Sequence, residues 1–180
     1  SMLATRASDN EVFVAYVNLV GGQDELVFDG AGVIFDPQGE VVVSGSQFEE
    51  ELIVADLDVE AVFRSTLRDP RPRRERRNIV REIGESKVVA VSEYLPDSQK
   101  PPVPPHGTRT YDEVGEVYAA LVLGTRDYVR KCGFTKVLVA LSGGIDSSLV
   151  ATIAVDALGS ENVVGVAMPS RFSSDGSVLD

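Results

Sequence analysis

The chain has 180 residues, 43% hydrophobic and 25% charged, which is typical of soluble globular proteins with one or two small domains. Its formal net charge of −11 argues against general affinity for nucleic acids and for anionic membranes. No apolar run approaches the ~18 residues that a membrane span needs, and the polar residues 1–10 do not form a signal peptide, so we expect a cytoplasmic location.

The first third of the chain, residues 11–57, is predicted to be rich in β-strands. The tetrad Asp36–Gly39 has proline second and glycine fourth, which predicts a type I turn that closes a hairpin. A helix is expected over Val59–Arg68. The predicted strands are Val12–Val17, Glu25–Phe28, Val33–Phe35, Val41–Val43 and Leu52–Leu57.

Residues 70–107 differ in composition and are interpreted as an inter-domain linker. The Pro-rich stretch Lys100–Gly107 cannot continue a helix or lie in a central strand. One short strand is expected over Ser86–Glu93. The basic run Arg71–Arg77 contains no aromatic residues and belongs to an acidic chain, so we interpret it as a solvated connector and not as a nucleic-acid patch.

The last part of the chain alternates helices and strands. Thr110–Glu113 has the pattern of a capping box, and the helix that follows is expected to end at Gly133. Strand, helix and strand then follow in a pattern typical of a parallel βαβ unit. Their expected limits are Lys136–Leu141, about Ser148 to Leu158, and Asn162–Met168.

The turn between that first strand and its helix carries the strongest functional signal. Glycines at 143 and 144 allow a ligand to approach the backbone, and a helix N-terminus favours an anion. Three hydroxyls add donors: Ser142, Ser147 and Ser148. The carboxylate of Asp146 would repel phosphate unless a divalent cation lay between them. The loop therefore predicts a polyphosphate ligand together with Mg²⁺. The alternative is an ordinary strand-to-helix turn without a ligand.

This loop resembles the SGGxDS loop of the N-type ATP pyrophosphatases, which adenylate a substrate and release pyrophosphate. The resemblance implies that ATP and Mg²⁺ are the cofactors and that Asp146 is the metal ligand. The implied ATP-binding residues are Leu141, Ser142, Gly143, Gly144, Ile145, Asp146, Ser147 and Ser148.

Two further resemblances cover most of the chain. Residues 2 to about 60 resemble the C-terminal end of a nitrilase-type amidase domain, on the strings Leu3–Ala7, Tyr16–Gly22 and Asp24–Gly30. Residues 108–180 resemble the start of a NAD synthetase domain. The similar segments are the loop Ser142–Ser148, called the ATP loop below, Asp127–Phe134 and Met168–Ser174. In this order the two halves resemble the glutamine-dependent NAD⁺ synthetase family.

The resemblance implies an α/β fold class: the C-terminal part of a nitrilase-like αββα domain, then the start of a Rossmann-like parallel-sheet domain. The implied domains are residues 1–69, a linker at 70–107, and residues 108–180. The implied activity is the ATP-dependent amidation of deamido-NAD⁺ to NAD⁺ with ammonia from glutamine, in an intact enzyme that we expect to be a homo-oligomer. Its substrates are small molecules, with no nucleic acid or membrane as partner.

The glutaminase machinery is not expected in this chain. The family's catalytic Glu, Lys and Cys would precede Ser1, so we expect an internal piece of a longer protein that is inactive alone. Cys132 belongs to the other half and is interpreted as a packing residue, and the single histidine, His106, excludes a Ser-His-Asp triad.

Two other functions stay open at this stage. One is another amidotransferase with the same loop, of the GMP-synthetase type, or a tRNA-thiolating enzyme; neither carries a nitrilase half. The other is a non-catalytic nucleotide-binding module. The roles of Arg171, Ser173 and Ser174, which follow the last predicted strand, are also open between a nucleotide-facing position and a plain surface loop.

Overall fold

The computed structural model describes residues 1–68, 78, 80–82, 84, 87, 89–92 and 101–168. The helices are α1 (Met2–Asn10), α2 (Glu60–Arg68), α3 (Glu113–Lys131) and α4 (Ile145–Leu158). The strands are β1 (Val14–Tyr16), β2 (Val20–Gln23), β3 (Leu26–Asp29), β4 (Val33–Phe35), β5 (Val41–Ser44), β6 (Val137–Leu141) and β7 (Val163–Ala167). None of the helices described is long and apolar enough to cross a bilayer.

These elements group into two compact units that interleave along the sequence. The first contains the described parts of Ser1–Tyr16, Gly32–Ser44 and Leu52–Gly107. The second contains Val17–Ala31, Gly45–Glu51 and the described part of Thr108–Asp180. The hairpin formed by β2 and β3 is therefore grouped with α3 and α4, and not with β1 and β4, its neighbours in sequence. The proposed division at residues 69 and 107 stays a prediction.

In the first unit an antiparallel sheet has the strand order β1-β4-β5, with Val14 opposite Phe35 and Tyr16 opposite Val33. The hairpin predicted at Asp36–Gly39 joins β4 to β5. Helix α1 packs beside this sheet and buries Ala7 completely, while Phe35 is 6% exposed. These two residues give the unit a small apolar centre.

In the second unit β2 and β3 form an antiparallel hairpin, and β6 and β7 form a parallel pair with α4 as the crossover. The pairing of Leu141 with Ala167 places the ends of β6 and β7 at one edge, which is where open α/β sheets bind ligands. The helices pack through small and branched residues. Among the described residues of this unit, the buried apolar side chains are Leu123, Val129, Val139, Ala154 and Ala157.

Helix α3 begins later than the predicted capping box. Asp112, and not Thr110, is the N-cap residue, and its carboxylate accepts a hydrogen bond from the Gly115 N–H at 2.7 Å. A carboxylate at this position also interacts favourably with the helix dipole. The predicted C-terminus is confirmed, because Gly133 adopts φ 81° and the Phe134 N–H bonds back to the Val129 carbonyl.

Several predictions about local structure were wrong or incomplete. Leu52–Leu57 forms no strand, since none of the described segments pairs with it, and Leu52 is 84% exposed. The helix α1 and the strand β2 were not predicted. Helix α4 begins at Ile145, three residues before the expected start at Ser148. Of the predicted strand Ser86–Glu93, the described residues 87 and 89–92 are not in a strand, and the rest lies outside the described residues.

Candidate functional site

The candidate site is the three-residue loop Ser142–Gly144 and the first turn of α4. Gly143 adopts φ 74°, a left-handed conformation that residues with a Cβ rarely accept, which explains a glycine there. Gly144 is the N-cap of α4, in an extended conformation at φ −97° and ψ 157°. The chain thus turns within three residues from the end of β6 into the start of α4.

The Ser147 side chain forms hydrogen bonds within this turn. Its hydroxyl accepts a hydrogen bond from the Ser142 N–H at 3.2 Å and donates to the Gly144 carbonyl at 2.9 Å. The Ser142 and Ser147 hydroxyl oxygens also lie 3.2 Å apart. A serine hydroxyl has one proton to donate, so the Ser147 hydroxyl shapes the loop in this state and does not project a free donor. Ser148 Oγ donates to the same carbonyl, at 3.2 Å.

The earlier start of α4 changes which backbone groups are available. A helix that began at about Ser148, as expected, would leave the Ser148 N–H without a helical partner, but this group bonds to the Gly144 carbonyl at 3.2 Å as part of the helix. The N–H groups at the first three helical positions have no carbonyl one turn before them to bond to. These are Ile145, Asp146 and Ser147. The end of the helix that favours an anion therefore lies closer to the glycines than the sequence predicted.

The loop is open to solvent. Ser142, Gly143, Gly144, Asp146 and Ser148 are exposed, and Ser147 is half-buried. Ile145 is 85% exposed, an unusual environment for isoleucine that leaves its backbone accessible as well. Leu141 is half-buried at the end of β6 and packs over Gly165 of β7, where an added Cβ would lie 2.7 Å from Leu141 Cδ1. The loop is thus accessible to a ligand, on a strand pair that fixes its base.

Asp146 lies in the first turn of α4, the position at which a carboxylate is favoured by the helix dipole. Among the residues described, no three His, Cys, Asp or Glu side chains converge as a metal site. Mg²⁺ usually keeps several waters and binds through one or two carboxylates plus substrate phosphates, so a single Asp146 carboxylate beside an anion-binding turn fits that ion.

The structure also locates the other candidates. Cys132 is exposed at the C-cap of α3, so its interpretation as a packing residue was wrong: the apolar face of the helix ends before it. Arg171, Ser173 and Ser174 lie outside the described residues, as does the basic run Arg71–Arg77.

Sequence reasoning missed a polar contact that joins α3 to α4. The Tyr118 hydroxyl donates to Asp156 Oδ2 at 2.6 Å, and this bond raises the pKa of Tyr118, with partial burial and the nearby negative charge adding to the rise. The two residues are 38 positions apart, and no local pattern indicated the pair.

Sequence reasoning also missed the contacts between α3 and the β2–β3 hairpin. Asp127 and Lys131 both reach the backbone of Gly22. Their spacing of four residues is typical of an exposed ion pair on a helix, and that is what the sequence alone would suggest. The glycine pair at 21 and 22 was the available signal, because adjacent glycines in a strand indicate a close backbone approach.

Comparison with known proteins agrees with the order of the two halves. The carbon-nitrogen hydrolase family model matches residues 1–64, and the NAD synthase family model matches residues 117–180. The predicted fold class is confirmed, with a portion of the nitrilase-like domain preceding the start of the parallel-sheet domain.

Relatives similar to the whole chain carry both halves. The glutamine-dependent NAD(+) synthetase of Aquifex aeolicus is 49% identical over 100% of this chain and 30% of its own length. That of Thermotoga maritima is 47% identical over 99% of this chain and 30% of its own length. The chain thus spans about 30% of these relatives, and the predicted resemblance to this family is confirmed.

A solved structure is similar over the same extent. The glutamine-dependent NAD⁺ synthetase of Acinetobacter baumannii, determined in complex with ADP, matches with a TM-score of 0.69 and 32% sequence identity. The match covers 99% of this chain and 27% of that one.

Proposed function

We propose that this chain is part of a glutamine-dependent NAD⁺ synthetase, a ligase that amidates deamido-NAD⁺ with ammonia released from glutamine. The observation that carries the proposal is the order of the two family matches, carbon-nitrogen hydrolase and then NAD synthase, within relatives of the same organisation. The loop Ser142–Gly144, which joins β6 to the N-terminus of α4, also suits a polyphosphate ligand. An amidotransferase of the GMP-synthetase type would not explain residues 1–64.

The first turn of α4 would bind the phosphates of ATP. Its N–H groups at Ile145, Asp146 and Ser147 and the helix dipole both favour a negative ligand. Gly143 and Gly144 keep side chains away from the approach. Use of an adenine nucleotide is supported further by the Acinetobacter baumannii enzyme, whose structure was determined in complex with ADP.

The chemistry that follows would be adenylation and displacement. The nicotinate carboxylate of deamido-NAD⁺ attacks the α-phosphorus of ATP, the bond to the β-phosphate oxygen breaks, and pyrophosphate leaves. Ammonia then attacks the activated carboxyl carbon and AMP departs. The turn would hold the departing pyrophosphate, whose negative charge grows in the first step, so its preorganised donors would lower that barrier.

Asp146 would hold Mg²⁺ against the same phosphates. When bound, the ion would screen the repulsion between this carboxylate and the polyphosphate and stabilise the leaving group. Without the cation, a carboxylate in this turn would weaken phosphate binding, so the pairing of Asp146 with the loop supports a metal-dependent site.

Three further parts of the proposal rest on the sequence alone: the glutaminase residues, the oligomeric assembly and the cellular location. The Glu, Lys and Cys of the glutaminase reaction are predicted to precede Ser1. A homo-oligomeric assembly and a cytoplasmic location also stay predictions.

The test uses the intact enzyme that contains this chain, with ATP, Mg²⁺ and deamido-NAD⁺. We expect Asp146→Asn to reduce NAD⁺ formation from ammonium by roughly 10²-fold or more, because a metal contact is worth several kcal/mol in such a site. Glutamine hydrolysis should change little. The matched control is Glu113→Gln, which removes a carboxylate from the first turn of α3. Equal NAD⁺ formation by Asp146→Asn and the parent would remove Asp146 from the site.

A further inference from the structure

One residue of the carbon-nitrogen hydrolase segment is held at both of its backbone groups by the helix α3. The Gly22 N–H donates to Asp127 Oδ2 at 2.9 Å, and Lys131 Nζ donates to the Gly22 carbonyl. Lys131 Nζ also lies 3.5 Å from the Gln23 amide oxygen. We call the set Gly22, Gly124, Asp127 and Lys131 the hairpin clamp.

The packing under these hydrogen bonds leaves no room for side chains. A Cβ added at Gly22 would lie 3.0 Å from Gly124 Cα, and one added at Gly124 would lie 3.1 Å from Val27 Cγ2. Gly21 adopts φ 140°, and a Cβ there would lie 3.0 Å from Asp127 Oδ2. Strand and helix backbones therefore approach each other directly, which fixes their separation more tightly than contacts between flexible side chains would.

The electrostatics of the clamp favour a charged Asp127. Its side chain is 17% exposed, and Arg126 Nε lies 3.1 Å from Asp127 Oδ1. Burial alone would raise the pKa of Asp127, but the Gly22 N–H, Arg126 and Lys131 together outweigh it and lower the pKa. The hydrogen bond to Gly22 is consequently charge-assisted, the stronger kind.

A second set of contacts holds the neighbouring segment Gly45–Glu51 near the beginning of α3. Arg109 pairs with Glu49 at 2.6 Å, and its backbone N–H donates to Ser46 Oγ at 3.1 Å. The rings of Phe48 and Tyr111 meet edge-on, with centroids 5.9 Å apart. The helix is thus attached to the carbon-nitrogen hydrolase segment near both of its ends.

The same helix precedes β6, the strand that leads into the ATP loop. It ends at Lys131, and β6 begins six residues later and leads into Ser142. The hydrogen bond between Tyr118 and Asp156 ties α3 to α4, whose N-terminus forms the candidate site. A displacement of the β2–β3 hairpin would therefore act through α3 on β6 and α4, the two elements that flank the loop.

We propose that the hairpin clamp couples the two reactions of the enzyme: Asp127 and Lys131 are positioning residues that fix the hydrolase-type hairpin to the helix that supports the ATP loop. The proposal rests on the proposed function. Without the clamp each reaction proceeds, but ammonia released from glutamine is no longer matched to adenylated substrate, so glutamate forms in excess of NAD⁺.

The experiment measures NAD⁺ formed per glutamate formed in the intact enzyme supplied with glutamine, ATP and deamido-NAD⁺. We expect Asp127→Ala and Lys131→Ala to lower this ratio roughly fivefold or more, the low end of typical coupling between sites. NAD⁺ formation from ammonium and the rate of glutamine hydrolysis should each change less than about twofold. The matched control for Lys131→Ala is Arg130→Ala, since both remove one positive charge from the last turn of α3.

Gly124→Ala separates coupling from loss of folding. Alanine has a higher intrinsic helix propensity than glycine, so the helix itself is stabilised while the contact with Val27 is crowded. We expect a lowered ratio, restored by the additional change Val27→Ala, which frees the space. An unchanged ratio in Asp127→Ala, Lys131→Ala and Gly124→Ala would overturn the clamp proposal. Absence of ammonium-dependent NAD⁺ formation by the unaltered enzyme would instead overturn the proposed function.

Discussion

The two hairpins of this chain are held in place by different kinds of contact. The turn between β4 and β5 is closed by its own residues: Asp36 Oδ1 accepts the N–H groups of Gln38 and Glu40, each at 2.9 Å. The hairpin of β2 and β3 depends on residues 105 and 109 positions away, Asp127 and Lys131. The first hairpin can be predicted from four letters of sequence, whereas the second requires the fold.

This difference suggests different uses. A turn whose hydrogen bonds are made by its own residues forms early in folding, because closing a short loop costs little entropy. Its stability depends mainly on those few residues. A hairpin held by a distant helix responds to anything that moves that helix. The first hairpin is therefore suited to stabilise one unit, and the second to connect segments with different chemistry.

The largest effect is expected where the local hairpin touches α1. Gly39→Ala would force a Cβ onto a backbone at φ 83°, 2.7 Å from the Ala4 carbonyl oxygen. Conformational strain and overpacking together should lower the free energy of unfolding by about 3 kcal/mol in urea titrations of the chain. Gly84→Ala is the control, since Gly84 also has φ 83° and nothing within 4 Å of an added Cβ. Equal losses at both sites would show that the contact with α1 adds nothing.

A smaller effect should follow from removal of the turn acceptor. Asp36→Ala deletes the carboxylate that accepts two backbone N–H groups, and we expect a loss of about 1 kcal/mol in the free energy of unfolding. Asp36→Asn keeps an acceptor oxygen and should lose less than half as much. If alanine and asparagine were equally destabilising, the charge and not the hydrogen bonding would close the turn.

The smallest effect concerns the pH dependence of the second hairpin. The folded chain lowers the pKa of Asp127 below its ordinary value of 3.8, so the ionised form stabilises the fold. This contribution is complete above that value and is lost as the pH falls through the lower, folded-state pKa. The difference in unfolding free energy between the parent and Asp127→Asn should be constant near neutral pH and shrink below about pH 4. A difference independent of pH would mean that ionisation plays no part in the clamp.

Local chemistry made part of this molecule predictable. The loop after β6 was identified because glycine, serine and aspartate have strong individual preferences in a strand-to-helix turn. The start of α4 was misplaced because Gly144, which has no side chain to cap a helix, nevertheless serves as its N-cap. The strand β2, with the sequence Val-Gly-Gly-Gln, was missed because glycine disfavours strands and the compensating contacts with α3 are remote.

Tertiary contacts decided the rest. Helix α1 has little apolar surface and depends on the Ser1 cap, a hydroxyl that accepts the Ala4 N–H at 3.3 Å, and on the burial of Ala7. Residues 52–57 form a short, nearly continuous apolar run that is typical of a strand, but such a run does not show whether a partner strand exists. The polar pair of Asp127 and Lys131 has the spacing of a surface ion pair, and only the position of Gly22 gives it a different role.

The exposed thiol at the end of α3 is a site for attaching a fluorescent label. Cys132 is the single cysteine among the 180 residues, so one maleimide dye attaches to this chain at one defined point. It follows Lys131 of the clamp directly and precedes the strand that leads to the candidate site. A fluorophore there would report any change at the end of α3 during a nucleotide titration, without a radioactive or coupled assay.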